Sequence, residues 1–290
     1  MDRMAARRRP IAAALGALSA LAALGTALLF AVAVHTRTGQ RLDDAAYSDN
    51  PLADAPRAYA ATQRLLETIS VSSLAIFGLG IMGIALLRRA PALAVGAGIL
   101  VLGANITTQT MKAYFQRPDL VAGMSAGDGA FPSGHVTVAM SLAMALLLVA
   151  PPALRWTAAL AGGAYAIGVG VAVLALDWHR PSEVVGAYLV SVAWTAGVAA
   201  IVLAEEGSPE GADTRAGLLG AVVAAVLGVA FAAVVGVNAG RRINVVRIVD
   251  DRTAFALAAL VGAIACAALC ATVATLMQRA QAPSATGTDR

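Results

Sequence analysis

The sequence predicts an all-α protein that crosses a membrane about eight times, as a six-helix core followed by a two-helix C-terminal hairpin. Two observations carry this. Apolar residues make up 59% of the 290 positions and charged residues 13%, roughly half the charged share of an ordinary soluble domain. The apolar residues also gather into eight blocks, near the ~20 residues that carry a helix across a hydrocarbon core of ~30 Å.

The first block, 11–34, follows the basic run Arg7, Arg8, Arg9. It exceeds the ~7–15 apolar residues of a cleaved signal peptide, so it is read as a retained span. A polar stretch over 36–67 carries both charge signs and the breakers Pro51 and Pro56. Its second half is expected to form a short helix at the membrane interface, and no chemistry is assigned to it. Further blocks follow at 68–87, 92–110, 135–150, 156–176, 184–204, 216–237 and 254–277.

Residues 205–215 are acidic and rich in Gly and Pro, the composition of a linker. The expected organisation is therefore a first span with its outer polar loop (1–67), a core region (68–204), the linker (205–215), the hairpin (216–277) and a tail (278–290). Cys266 and Cys270 lie one helical turn apart in the last block. They read as small packing residues, too far apart along one helix to form a disulfide.

The net charge of +4 is spread along the loops, with no basic tract of the kind that tracks a nucleic-acid backbone, so no nucleic-acid partner is expected. If every block crosses, the N-terminal arginines and the Arg88–Arg89 pair share one face, which the bias of Lys and Arg toward the cytoplasm makes the inner one. Both termini are then cytoplasmic. Arg241, Arg242, Arg247 and Arg252 weigh against this, because the same scheme places them outside.

The same alternation brings three polar sites to the outer face: Lys112 at the end of the third block, Phe131-Pro132-Ser133-Gly134-His135 opening the fourth, and Asp177 to Glu183 between the fifth and sixth. The chain has three histidines, and two of them, His135 and His179, fall in these sites. Ionisable groups at membrane depth point to function. Pro132-Ser133-Gly134 reads as a helix start whose free N–H groups and positive dipole end attract an anion. A plain N-cap by Ser133 is the simpler alternative.

His179 and Glu183 are four apart, so they meet on one face of a helix beginning near Pro181. A carboxylate beside an imidazole fixes its tautomer and steadies its charged form. The alternative is a Trp178–His179 anchor at headgroup level. Lys112, the sole lysine, either snorkels from its helix end or holds an anion. Two histidines and a carboxylate also suggest zinc, but Lys112 and the helix start suit phosphate better, so no metal is expected.

These residues resemble the motifs of the type 2 phosphatidic acid phosphatase superfamily, the membrane lipid phosphatases related to vanadium haloperoxidases. The family's first motif is Lys, six residues, then Arg-Pro; here Lys112 matches and Arg117-Pro118 stands two positions early. The second, Pro-Ser-Gly-His, is matched in full by Pro132 to His135. In the third, Ser-Arg, five residues, His, three residues, Asp, His179 and Glu183 match the His and acidic places, whereas Ala172 and Val173 replace Ser-Arg.

The resemblance covers about 68–204 and implies a six-helix lipid phosphatase-like core. It implies His135, His179 and Glu183 as catalytic residues and Lys112, Ser133, Gly134 and Arg117 as phosphate-binding ones. It further implies hydrolysis of a lipid phosphate or polyprenyl diphosphate through a phosphohistidine, without cofactor, at the outer face of a bacterial cytoplasmic membrane. Arg180, Arg241 or Arg242 would replace the missing arginines. Alternatives are transfer of the phosphoryl group to an alcohol, or a non-catalytic protein that binds lipid phosphate. A transporter fits less well, since apart from Asn105 the blocks show neither broken helices nor charged residues near the midplane. Oligomeric state is not indicated.

Overall fold

A computed structural model describes residues 3–45, 52, 55–121, 131–206 and 251–281, and these are helical with no strand among them. Nine helices follow in order: α1 (Arg3–Leu29), α2 (Arg37–Ala45), α3 (Pro56–Glu67), α4 (Val71–Leu87), α5 (Pro91–Tyr114), α6 (Gly134–Val149), α7 (Arg155–Ala175), α8 (Pro181–Glu206) and α9 (Asp251–Gln281). Five apolar stretches are long enough to cross a bilayer, Arg8–Val34, Pro91–Tyr114, Pro152–Ala175, Pro181–Glu205 and Thr253–Ala280, and the shorter apolar helices α4 and α6 accompany them. The protein is an all-α, multi-pass membrane protein.

The expected spans before residue 205 and the last one coincide with these helices to within a few residues. The expected block 216–237 lies outside the described residues, as do 207–215 of the expected linker, whose first two residues extend α8. The polar stretch after the first block does contain the short helix α3, and it contains α2 as well.

At the centre is α6, packed by α5, α7 and α8, while α1 lies along α8. Most of α6 is buried, and at 16 residues it rises only ~24 Å at ~1.5 Å per residue, less than a hydrocarbon core. Phe131, Pro132 and Ser133 are buried ahead of it, so the helix begins inside the bundle rather than at its edge. Gly162 of α7 lets α6 come close: a Cβ there would lie 2.8 Å from that of Ala143. Small residues permit such approach where no solvent drives helices together. Hydrogen bonds complete the seams, Thr108 to Thr137 at 2.9 Å, Asn105 to Ser141 at 3.2 Å, and Trp194 to Thr107 at 3.0 Å.

α9 is peripheral and runs antiparallel to α7. Cys266 Sγ lies 3.8 Å from the Gly163 carbonyl, and Arg155 donates to the Met277 carbonyl at 3.0 Å. Cys266 and Cys270 are buried free thiols in this packing, in line with their reading as packing residues.

The two ends of the bundle differ. At one, Arg88 donates to the Val149 carbonyl and the buried Arg155 donates to the Ala150 carbonyl at 3.0 Å. At the other lie the start of α6, the α7–α8 turn and α2. The chain enters α2 through a widened turn, Phe30–Val34, at the end of α1. Thr36 accepts the Gly39 N–H at 2.8 Å, and Gln40 donates to the Val34 carbonyl at 2.8 Å. The tight reversal requires glycine at 39, where a Cβ would stand 2.0 Å from the Val32 carbonyl oxygen.

Candidate active site

Two helix termini create the geometry at this end. α7 closes on Leu176 with Asp177 in the left-handed region (φ 54°), where Asp is among the tolerated residues. The Trp178 N–H reaches the Val173 carbonyl at 3.0 Å and the Asp177 N–H the Leu174 carbonyl at 3.1 Å. This double bond is a Schellman ending. It turns the chain sharply, so that His179 follows only three residues after the cap.

α8 then starts on Pro181, whose missing N–H and fixed φ suit the first helical position. Glu183, three places past Arg180, reaches back: Oε2 accepts the Arg180 N–H at 3.0 Å. The same oxygen lies 2.8 Å from His179 Nδ1. A carboxylate accepts and does not donate, so Nδ1 carries the proton and Nε2 keeps its lone pair. Glu183 is buried, as is His179.

α6 is locked to this turn by its backbone, the Ser133 N–H donating to the Glu183 carbonyl at 2.9 Å. Ser133 caps α6, accepting from the Val136 N–H at 3.5 Å. His135, one residue into the helix, has its ring centroid 6.5 Å from that of His179 and 5.4 Å from that of Trp178. Lys112, in the last turn of α5, brings its Nζ to 3.5 Å from where a Gly134 Cβ would be. The ammonium thus lies against the open N-terminus of α6, and glycine leaves it room.

Of the residues singled out in the sequence, Lys112, Ser133, Gly134, His135, His179 and Glu183 come together here. Arg117 is at the same end but turns to Asp43 of α2, with which it forms a buried ion pair. Arg180 pairs with Asp44, its Nη2 at 3.0 Å from Oδ1, and its Nη1 is 4.0 Å from Glu183 Oε1. Arg241 and Arg242 lie outside the described residues.

Sequence reasoning missed α2. Asp43 accepts the Ser182 N–H at 2.9 Å and its hydroxyl at 2.7 Å, besides pairing with Arg117. Burial pushes the Asp43 carboxyl above the usual carboxylate range, while Arg117 and the Ser182 donors work against that rise. The one signal was the adjacent pair Asp43-Asp44, on a segment that the crossing scheme puts at the face of Arg117 and Arg180. His35 is held below its ordinary pKa by burial and by Arg117, and sits edge-on to Phe30 at 4.7 Å. Phe30 also contacts Phe115 at 5.5 Å and Phe131 at 5.2 Å, an aromatic wall beside the start of α6.

The helical bundle thus holds a buried His–Glu pair facing a second histidine, with an ammonium at a helix N-terminus, groups that suit an anion. A family model, that of the PAP2 superfamily, matches residues 91–206. This segment, α5 to α8, is similar to that superfamily, the one its motifs resemble, and the match supports a phosphatase-type function. No curated protein and no solved structure matches the chain.

Proposed function

We propose that the protein is an integral membrane lipid phosphatase that hydrolyses a lipid phosphate or diphosphate through a phosphohistidine on His179. The observation that carries the reading is the His179–Glu183 contact of 2.8 Å facing His135 across 6.5 Å. The match of 91–206 to the PAP2 superfamily model supports the phosphatase class.

In this mechanism Lys112, the Ser133 hydroxyl and the N–H groups at the start of α6 hold the phosphate oxygens. His179 Nε2 attacks the terminal phosphorus, forming the N–P bond as the P–O bond to the departing lipid alcohol, or to the lipid phosphate of a diphosphate, breaks. His135 gives its proton to the departing oxygen. It then takes a proton from water, whose oxygen attacks phosphorus, breaks the N–P bond and releases inorganic phosphate. Glu183 keeps Nδ1 protonated and offsets the charge gained by the ring. These chain groups supply every step, so EDTA is expected to leave turnover unchanged.

A lipid substrate fits a site at the helix ends, with the aromatic wall of Phe30, Phe115 and Phe131 beside it. We place the protein in a bacterial cytoplasmic membrane with this site outside, because Arg88, Arg89 and Arg155 belong to the opposite end. The test is phosphate release by the detergent-purified protein from a panel of lipid phosphates and diphosphates, with and without EDTA. Release that survives EDTA supports the reading. Release that is lost and returns with zinc overturns the mechanism, and binding without release from any lipid favours phosphotransfer or a non-catalytic binder.

A further inference from the structure

Arg180 directly precedes α8, and its side chain has donors only and therefore cannot accept the orphan N–H groups of the first turn. The missing acceptor arrives from 139 positions away: Asp43 Oδ1 takes the Ser182 N–H at 2.9 Å. Asp43 Oδ2 takes the Ser182 hydroxyl at 2.7 Å and pairs with Arg117. The next residue, Asp44, accepts from Arg180 Nη2 at 3.0 Å and Nε at 3.2 Å. α2 is itself pinned in place, since Gln40 donates to the Pro118 carbonyl at 2.6 Å and to the Val34 carbonyl. This helix lies outside the segment that the family model matches, 91–206.

The contacts at this end tie Lys112, Arg117 and Arg180 to the site on one side and Asp43, Asp44 and Glu183 on the other, with Asp177 in the same α7–α8 turn. Two of these four carboxylates come from α2. Two adjacent carboxylates therefore offset the charges of Arg117 and Arg180 that a phosphate would otherwise meet, while fixing both guanidinium groups in place.

We propose that Asp43 and Asp44 are specificity-determining residues that set the charge of the phosphate site, so that it takes lipid phosphate monoesters in preference to the more highly charged lipid diphosphates. This rests on the phosphatase reading above and narrows it. Affinity then comes from local donors, Lys112, Ser133 and the α6 N-terminus, more than from net charge. Relieving one carboxylate should strengthen anion binding and favour the more charged substrate, whereas a merely structural role predicts loss of both.

The test uses the full chain in detergent, with inorganic phosphate as the calorimetric probe and a monoester and a diphosphate of the same tail as substrates. Asp44 is partly exposed, so Asp44→Asn keeps its shape at little cost to folding; Asp43→Asn is the second variant and Arg41→Gln, on the exposed side of α2, the control. Asp44→Asn should bind inorganic phosphate about three- to tenfold tighter, the effect of one screened charge nearby, and its KM should fall more for the diphosphate than for the monoester. Asp43→Asn should also bind phosphate more tightly but with a lower kcat, because the cap of α8 is weakened. Arg41→Gln should match the wild type. Phosphate affinity unchanged or weaker in both Asp variants, or a wild type that prefers the diphosphate, overturns the proposal. If the wild type hydrolyses nothing, the phosphatase reading falls, and calorimetry alone decides whether α2 sets the charge: phosphate that binds neither protein, or both equally, refutes it.

Discussion

His179 and His135 occupy different helix ends, and each has a distinct partner, Glu183 for one and the Trp178 ring for the other. The mechanism needs both, one as nucleophile and one as acid and base, so His179→Ala and His135→Ala should each lower kcat by at least about 10²-fold, the low end for loss of a general acid or base. Retention of a normal thermal midpoint would separate lost chemistry from lost fold. A His135→Ala protein with wild-type kcat would remove that residue from the reaction. The His179–Glu183 pair was legible in the sequence because helical spacing brings i and i+4 together once Pro181 marks the start. Arg117 and Arg180 were legible as cations but not in their pairing. Their partners lie 74 and 136 positions away, and no local periodicity reports such a contact.

The elements were legible in proportion to how apolar they are. Each long span announces itself by length and hydropathy, and α6, although short, is flanked by the Ser133 cap and the Pro151-Pro152 break. α2 could not be found in this way: it holds charges of both signs within nine residues, and it is stable because it docks. The reversal that docks it depends on Gly39. Gly39→Ala would push a methyl group into the Val32 carbonyl and should destabilise the protein by about 1–3 kcal/mol, the usual cost of overpacking, read as a lower thermal midpoint and a loss of turnover. Gly80→Ala is the matched control, because nothing lies within 4 Å of a Cβ there. Equal midpoints for the two variants would mean that the α1–α2 turn is looser than drawn.

At the scale of the whole molecule, the account turns on sidedness. Composition and alternation were enough to forecast that Lys112, His135 and His179 share an end, because alternate loops fall on the same face, and the helices do bring them together. Our placing of that face outside rests on the arginines at the other end. Cysteines placed at Arg41 and Arg89 should respond oppositely to a membrane-impermeant maleimide in intact expressing cells, Arg41→Cys labelled and Arg89→Cys only after lysis. The native thiols are buried and give a low background. The reverse pattern would put the site on the cytoplasmic side.

The central claim is that His179 carries the phosphoryl group, and the most direct measurement is mass spectrometry of the protein quenched in alkali, where phosphohistidine survives, during turnover of a phosphate-labelled lipid substrate. The account predicts label on His179, lost in His179→Ala and chased away as inorganic phosphate in the wild type. Labelled phosphate released at full rate by His179→Ala, or steady turnover with the label on another residue, would contradict it.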